Sequence, residues 1–156
     1  LLTLYTPLGY PVEIIRHDYE IEVDRAFINR YKIDQKYSAV YLDLDDTLEL
    51  GDRVNQWLML YLYQCVNNNI EIHLLTRHAR DINETLSKHK ISPELFCEII
   101  HIKDGGDKSR YIKNKNAIFI DDSFRERLDV REKCGMNVFD LDEVEALIDW
   151  TELRFN

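Results

Sequence analysis

The stretch SAVYLDLDDTL, residues 38–48, decides how this sequence folds. Its first half, 39–42, is apolar and rich in β-favouring side chains, which is typical of a central parallel strand covered on both faces. The strand must end at the acids that follow, because burying Asp43, Asp45 and Asp46 without partners would cost too much free energy. We therefore expect these acids at the carboxyl end of the strand, where open α/β sheets bind their ligands.

Two of these acids are predicted to share one side of the chain. Side chains alternate along an extended strand, so Asp43 and Asp45 leave it in the same direction. Like charges held that close favour a cation between them or a shared proton. Because hard divalent ions prefer oxygen ligands, the stretch indicates a Mg²⁺ site. The simpler alternative is an acidic loop that only caps a strand.

The composition limits the class of protein. A chain of 156 residues with 45% hydrophobic residues forms one domain with a packed core and room for a small appendage. A net charge of -9 disfavours binding to nucleic acid. The sequence contains no membrane-spanning apolar run and opens with no signal-peptide pattern. Three isolated cysteines without a CxxC pair favour a reduced, cytoplasmic protein.

The hydrophobic pattern predicts five strands that alternate with helices. The strands are expected at residues 39–42, 70–75, 98–102, 116–120 and 137–139. The helices are expected from an N-cap at Asp52 to residue 65, at 79–90, around Lys108 and Tyr111, at 124–134 and around 144–148. This alternation predicts a doubly wound, Rossmann-like α/β fold with a five-stranded parallel sheet.

Polar side chains follow four of these strands. After the acids of the first strand, Thr76 follows the second, Lys108 lies after the third, and Asp121 and Asp122 follow the fourth. Each alone has an ordinary explanation as a cap, a surface lysine or a loop. Since the carboxyl ends of parallel strands share one edge of the sheet, we expect all of them to gather there.

The same residues resemble the four motifs of the haloacid dehalogenase (HAD) superfamily. The resemblance covers roughly residues 38–150 and rests on Asp43-Leu44-Asp45-Asp46-Thr47, Thr76, Lys108 and Asp121-Asp122. It implies a HAD-like fold and a phosphohydrolase acting on a phosphomonoester, either a small metabolite or a sugar phosphate. The acid at position 45 favours phosphoryl transfer over dehalogenation, since the dehalogenase pattern lacks it.

The resemblance also implies a role for each catalytic residue. Asp43 would attack phosphorus and form an aspartyl-phosphate. Asp45 would protonate the leaving oxygen and then activate water. Thr76 would donate a hydrogen bond to the phosphoryl group, and Lys108 would neutralise its charge.

The implied cofactor is Mg²⁺. Its ligands would be the carboxylate of Asp43, the backbone carbonyl of Asp45, and Asp121 or Asp122. Asp46 and Thr47 are expected to shape the loop.

The short spacings between motifs indicate a member without a large cap domain. We therefore expect an open site, with a preceding domain or another subunit as its lid. Arg77, His78 and Arg80 lie just after Thr76. They would either bind a second anionic group of the substrate or face solvent at the start of a helix.

Residues 1–37 carry no catalytic pattern. They are expected to form an N-terminal extension or the tail of a preceding domain, with an edge strand at 19–23 and a short helix after Asp24, and residues 38–156 form the catalytic domain. Because the chain begins with Leu1 and its stretch 118–127 resembles HAD domains of bacterial multidomain biosynthetic proteins, ATP-grasp-linked or FkbH-like, we expect a domain of a larger enzyme.

Three other functions remain open from the sequence. The first is a HAD-like interaction or regulatory domain that has lost turnover. The second is a phosphoacceptor receiver domain, which the Asp-x-Asp-x-Thr spacing fits poorly. The third is action on nucleic-acid ends, which the negative charge disfavours.

Overall fold

The strands and helices follow one another in the order that the sequence predicts, with one additional hairpin. The structure is a computed structural model that describes residues 30–153. Its strands are β1 (Ala39–Leu42), β2 (Glu49–Leu50), β3 (Arg53–Val54), β4 (Glu71–Thr76), β5 (Glu98–His101), β6 (Ala117–Ile120) and β7 (Asn137–Phe139). Its α-helices are α1 (Gln56–Asn67), α2 (Ile82–Lys88) and α3 (Phe124–Cys134).

The main sheet has five parallel strands in the order β5-β4-β1-β6-β7. β1 lies at its centre, where Ala39 pairs with Glu71 of β4 on one side and with Ala117 of β6 on the other. The predicted five-stranded, doubly wound α/β fold is thus confirmed.

The two faces of β1 explain its position at the centre. All four of its residues are buried. Val40 and Leu42 belong to a core cluster that includes Leu58 of α1, whereas Ala39 and Tyr41 belong to a second cluster on the opposite face. Burial of one aliphatic side chain contributes about 1.5–3 kcal/mol. Since β1 buries side chains on both faces, it stabilises the packing of helices on both sides of the sheet.

The first helix begins later than predicted. Residues 53 and 54, expected in its first turn, form instead strand β3, which pairs antiparallel with β2 in a hairpin. Asn55, and not Asp52, is the N-cap, and its side chain accepts a hydrogen bond from the amide of Leu58. Asp52 lies in the hairpin turn and pairs with Lys88.

Two further helices differ from the prediction. The expected helix at 79–90 is shortened to α2, because Asp81 caps it and the residues before it form the loop beside the site. The segment around Lys108 and the last helix are 3₁₀ helices, Lys108–Tyr111 and Leu141–Leu147. The second of these begins with a capping box formed by Asp140 and Glu143.

Residues 30–37 contact both α1 and the last segment of the domain. The amide of Ile33 donates to the carbonyl of Ala146 at 2.7 Å, and the hydroxyl of Tyr61 donates to that of Tyr37 at 2.7 Å. Arg30 and residues 31–37 are not helical. The predicted edge strand at 19–23 and most of the short helix after Asp24 lie outside the described residues, so the boundary at 37 stays a prediction.

Within residues 30–153 no helix combines the length and apolarity needed to cross a bilayer.

Candidate active site

The site forms where β1 ends. The amide of Asp43 still donates to β6, at 3.1 Å, and the chain then turns back sharply. The amides of residues 48 and 49 both donate to the carbonyl of Leu44, at 3.0 and 2.8 Å. Asp46 lies in the turn with φ of +50°, a left-handed conformation that Asp tolerates better than most residues. This loop keeps Asp43 and Asp45 at the carboxyl edge of the sheet.

Lys108 lies between two carboxylates in this edge. Its Nζ is 3.0 Å from Asp43 Oδ2 and 2.7 Å from Asp121 Oδ2. The side chains of Lys108 and Asp121 are 2% and 1% exposed, and that of Asp43 is 13% exposed. Because a lysine is almost never buried without a partner, these two contacts hold the ammonium group in place.

The two carboxylates are costly to ionise in this setting. Burial raises the pKa of Asp43, although the nearby Lys108 ammonium lowers it in part. Burial also raises the pKa of Asp121 to about 6; the ammonium of Lys108 opposes the rise and the negative charge of Asp43 adds to it. When both carboxylates are ionised, their combined negative charge exceeds the single positive charge of the Lys108 ammonium group.

The cluster fits a divalent cation. Asp43, Asp121 and Asp122 each offer a carboxylate oxygen, and these three atoms lie within 4.8 Å of one another. Asp43 Oδ1 is buried and has no hydrogen-bond partner among the described residues. A buried carboxylate oxygen without a hydrogen-bond partner, together with two neighbouring carboxylates, forms a set of oxygen ligands that suits Mg²⁺.

The loop after β6 is held rigidly. Arg127 donates to the backbone carbonyls of Asp121 and Asp122, at 2.6 and 2.7 Å. Thr47 ties this loop to the one after β1, since its hydroxyl donates to Asp122 Oδ1 at 3.2 Å and accepts from the Asp122 amide at 3.1 Å. Thr47 therefore does more than shape its own loop: it fixes the two acidic loops relative to each other.

Asp45 lies on the other side of the site from Lys108. Its side chain is 45% exposed and contacts one group at the end of β4 and one in the loop that follows. Asp45 Oδ1 is 2.6 Å from Nδ1 of His78, and Asp45 Oδ2 is 3.5 Å from the hydroxyl of Thr76. Thr76 is fully buried and is the last residue of β4, not the residue after it.

The three basic residues predicted after Thr76 have different surroundings. Arg77 pairs with Glu126 at 2.9 Å and donates to the carbonyl of Gly106 at 2.7 Å. Arg80 is 67% exposed and lines an open cleft of about 790 Å³ together with Lys103. His78 is buried and directed at Asp45, so the prediction that it faces solvent or binds a second anion was wrong.

The structure thus brings all the predicted site residues to one edge and adds residues that the sequence did not indicate. The predicted residues are Asp43, Asp45, Thr76, Lys108, Asp121 and Asp122. Thr85 and Arg127 are additions, and His78 contacts Asp45, which is a role that the sequence analysis did not give it. A histidine two positions after a strand-end threonine was a visible signal, but periodicity does not tell where its ring points.

The raised pKa of Asp121 gives a testable pH dependence without metal. Since this pKa rises from 3.8 to about 6 on folding, the folded state binds more protons than the unfolded state between these values. The contribution of Asp121 to stability must therefore fall as pH rises from about 4 to 6. Relative to Asp121→Asn, the wild-type protein in EDTA should lose stability over this range in urea unfolding. A constant difference between the two proteins would contradict the raised pKa.

Two solved structures share this fold. One is an uncharacterized protein from Corynebacterium glutamicum, with 11% identity over 67% of this chain and 85% of that one, and a TM-score of 0.50. The other is the N-terminal part of a Bacteroides fragilis protein that contains a phosphatase domain and is complexed with Mg, with 18% identity and a TM-score of 0.54. The match covers 73% of this chain but only 39% of that one.

No protein-family model and no curated protein sequence matches the chain. At identities of 11% and 18% the two likenesses show the fold alone. The shared fold is a parallel α/β sheet, and in this chain its carboxyl edge carries an acidic cluster that could hold a metal ion.

Proposed function

We propose that the protein is a Mg²⁺-dependent phosphohydrolase of the HAD type that acts on a phosphomonoester through an aspartyl-phosphate on Asp43. The observation that carries the proposal is the buried cluster at the end of β1. There Asp43 has one oxygen paired with Lys108 and one oxygen without a partner among the described residues. The phosphatase domain named for the Bacteroides fragilis neighbour supports the same class of reaction.

In the first step a carboxylate oxygen of Asp43 attacks phosphorus. The bond from phosphorus to the leaving oxygen breaks, and its electron pair stays on that oxygen. Asp45, in its protonated form, donates the proton that converts the leaving group into an alcohol. Bound Mg²⁺, held by Asp43, the Asp45 carbonyl and Asp121 or Asp122, would offset the repulsion between the anionic nucleophile and the anionic phosphate.

In the second step Asp45 acts as a base. It takes a proton from water, the water oxygen attacks phosphorus, and the bond to Asp43 breaks to release inorganic phosphate. Both carboxyl groups return to their initial states. The half-exposed position of Asp45 suits this role, because it borders both the buried cluster and the solvent.

Thr76 and Lys108 would stabilise the charge that moves during both steps. The Thr76 hydroxyl accepts from the amide of His78 at 3.1 Å and donates to Asp45 Oδ2 over a long 3.5 Å, a weak contact that a phosphoryl oxygen would replace. The Lys108 ammonium already lies 3.0 Å from Asp43 and is fixed before substrate arrives. Preorganised donors of this kind typically contribute about 2.7–4 kcal/mol each to the transition state.

The substrate is proposed to be a small phosphorylated metabolite or a sugar phosphate. Between β1 and β4 the chain holds only a two-stranded hairpin and α1, which is no large cap. We propose that a preceding domain or another subunit covers the open site. The alternative is a HAD-like interaction or regulatory domain without turnover, and retention of the full acidic cluster argues against it.

Hydrolysis of p-nitrophenyl phosphate is the direct test. We expect phosphate release that depends on Mg²⁺ and is lost in excess EDTA, because the uncompensated carboxylates would otherwise repel the ester. Addition of Mg²⁺ after EDTA should restore the rate, which controls for unfolding. Mg²⁺ binding measured by calorimetry without turnover would point to a selective substrate or a missing lid. If the protein neither binds Mg²⁺ nor hydrolyses the ester, the phosphohydrolase proposal fails and the interaction domain is the remaining function.

A further inference from the structure

We propose that His78 is a positioning residue that holds the carboxyl group of Asp45 in the orientation required for proton transfer to the leaving group. The inference rests on the proposed phosphohydrolase function and adds a residue to it. It starts from one contact, in which Nδ1 of His78 lies 2.6 Å from Oδ1 of Asp45. A carboxylate only accepts hydrogen bonds, so the proton of this contact belongs to the Nδ1 nitrogen.

Both the ring and the backbone of His78 are held by further hydrogen bonds. Its other nitrogen, Nε2, lies 2.8 Å from the hydroxyl of Thr85 on α2. Its backbone amide donates to the Thr76 hydroxyl at 3.1 Å, and its carbonyl accepts from Nε2 of His101 at 2.8 Å. With the ring only 2% exposed, His78 has no space to change its rotamer.

This arrangement decides which oxygen of Asp45 can react. Oδ1 is occupied by His78, whereas Oδ2 is directed towards Thr76 and lies 3.5 Å from its hydroxyl. The Thr76 hydroxyl is the proposed donor to the phosphoryl group, so Oδ2 is the oxygen on the substrate side. A half-exposed aspartate without this contact would rotate freely, and proton transfer needs a heavy-atom distance of about 2.6–3.2 Å.

A metal ion is the competing explanation for these side chains. Asp45, His78 and the buried Glu49 offer ligand atoms within 4.8 Å of one another. Two ligands at right angles around an ion, each about 2.1 Å from it, lie about 3 Å apart. The 2.6 Å between Asp45 and His78 is shorter than this and is the length of a charge-assisted hydrogen bond. The geometry therefore favours a direct contact.

The test compares two phosphate esters whose leaving groups differ in how strongly their departure depends on protonation by a general acid. Nitrophenolate is a stable leaving group, whereas phenolate is as basic as a tyrosinate, with a pKa of about 10. We expect His78→Leu to lower kcat/KM for phenyl phosphate by about 10²-fold, within the usual range of acid catalysis, and to lower it far less for p-nitrophenyl phosphate. The ratio of the two constants does not depend on the folded fraction of the variant.

Two further variants separate positioning from packing. His78→Asn places an amide NH₂ close to the position of Nδ1 and should keep the wild-type ratio, even if the protein becomes less stable. In an Asp45→Asn background, His78→Leu should leave the ratio unchanged, because the residue through which it acts is already disabled.

An equal fall of both rate constants in His78→Leu would overturn the positioning role and leave the proposed function standing. A changed ratio in the Asp45→Asn background would overturn it as well. If the wild-type protein turns over neither ester and also fails to bind Mg²⁺ in calorimetry, the proposed function is overturned, and the role of His78 with it.

Discussion

Replacing Asp43 by asparagine should remove turnover and leave the folded protein at least as stable as the wild type. Loss of a nucleophile lowers kcat by about 10³-fold or more in enzymes that form a covalent intermediate. The stability half of the prediction follows from the raised pKa of Asp43, whose main cause is burial. Since the folded state disfavours the ionised carboxylate at neutral pH, a neutral amide of the same shape removes that cost.

The matched control for Asp43→Asn is Asp46→Asn. Asp46 lies in the same loop, is exposed, and has φ of +50°, which asparagine tolerates equally well. We expect Asp46→Asn to retain the wild-type kcat on p-nitrophenyl phosphate within a few fold. Equal loss in both variants would show that the loop, and not the Asp43 carboxylate, controls the rate. A marked fall in the unfolding midpoint of Asp43→Asn alone would contradict the buried-charge argument.

Residues 38–48 allowed the sheet to be predicted because they combine a fully apolar strand with a cluster of acids directly after it. Residues 39–42 are apolar on both sides of the strand, which places them at the centre of a sheet. The acids that follow cannot be buried alone, which places them at its edge. The same reasoning located Thr76 and Asp121, since both lie at the ends of neighbouring parallel strands.

The features that were missed depend on contacts that periodicity does not encode. The hairpin before α1 turns at Gly51, whose φ of +66° suits a tight turn, and Gly51-Asp52 was a readable turn signal. The contact between His78 and Asp45 joins positions 33 residues apart. It depends on the orientation of the buried His78 ring, which the sequence pattern does not encode. The segment Lys108–Tyr111 is a 3₁₀ helix in which Lys108 makes buried contacts with distant residues, and hydrophobic periodicity encodes neither feature.

Replacing Lys108 by methionine should give the largest combined loss of stability and activity. The ammonium group is the charged partner of Asp43 at 3.0 Å and of Asp121 at 2.7 Å, and all three side chains are buried or nearly so. Breaking a buried ion pair by removing one partner costs about 3–5 kcal/mol. Methionine keeps the length and packing of the side chain, so the urea unfolding free energy reports mainly the loss of charge. The kcat should fall by about 10²–10³-fold.

The destabilisation of Lys108→Met should depend on pH. Without the ammonium, the folded-state pKa values of Asp43 and Asp121 rise further above the unfolded value of 3.8, since Lys108 is the main group that lowers both. The cost is therefore smallest near pH 4–5, where the folded carboxyl groups keep their protons, and grows towards pH 8. The matched control is Lys113→Met, whose exposed pair with Glu98 at 3.2 Å should contribute at most about 1 kcal/mol at any pH.

Mg²⁺ separates the two roles of Lys108. A divalent cation bound by Asp43, Asp121 and Asp122 would compensate the charge that Lys108→Met leaves behind, so saturating Mg²⁺ should recover most of the lost stability. It should not recover kcat, because the lysine would still be missing from the phosphoryl group. If Lys108→Met unfolds as easily as Lys113→Met and Mg²⁺ stabilises neither, the carboxylates do not form a charged cluster. If Mg²⁺ restores both stability and kcat, Lys108 only compensates the charge of the carboxylates and has no separate role in catalysis.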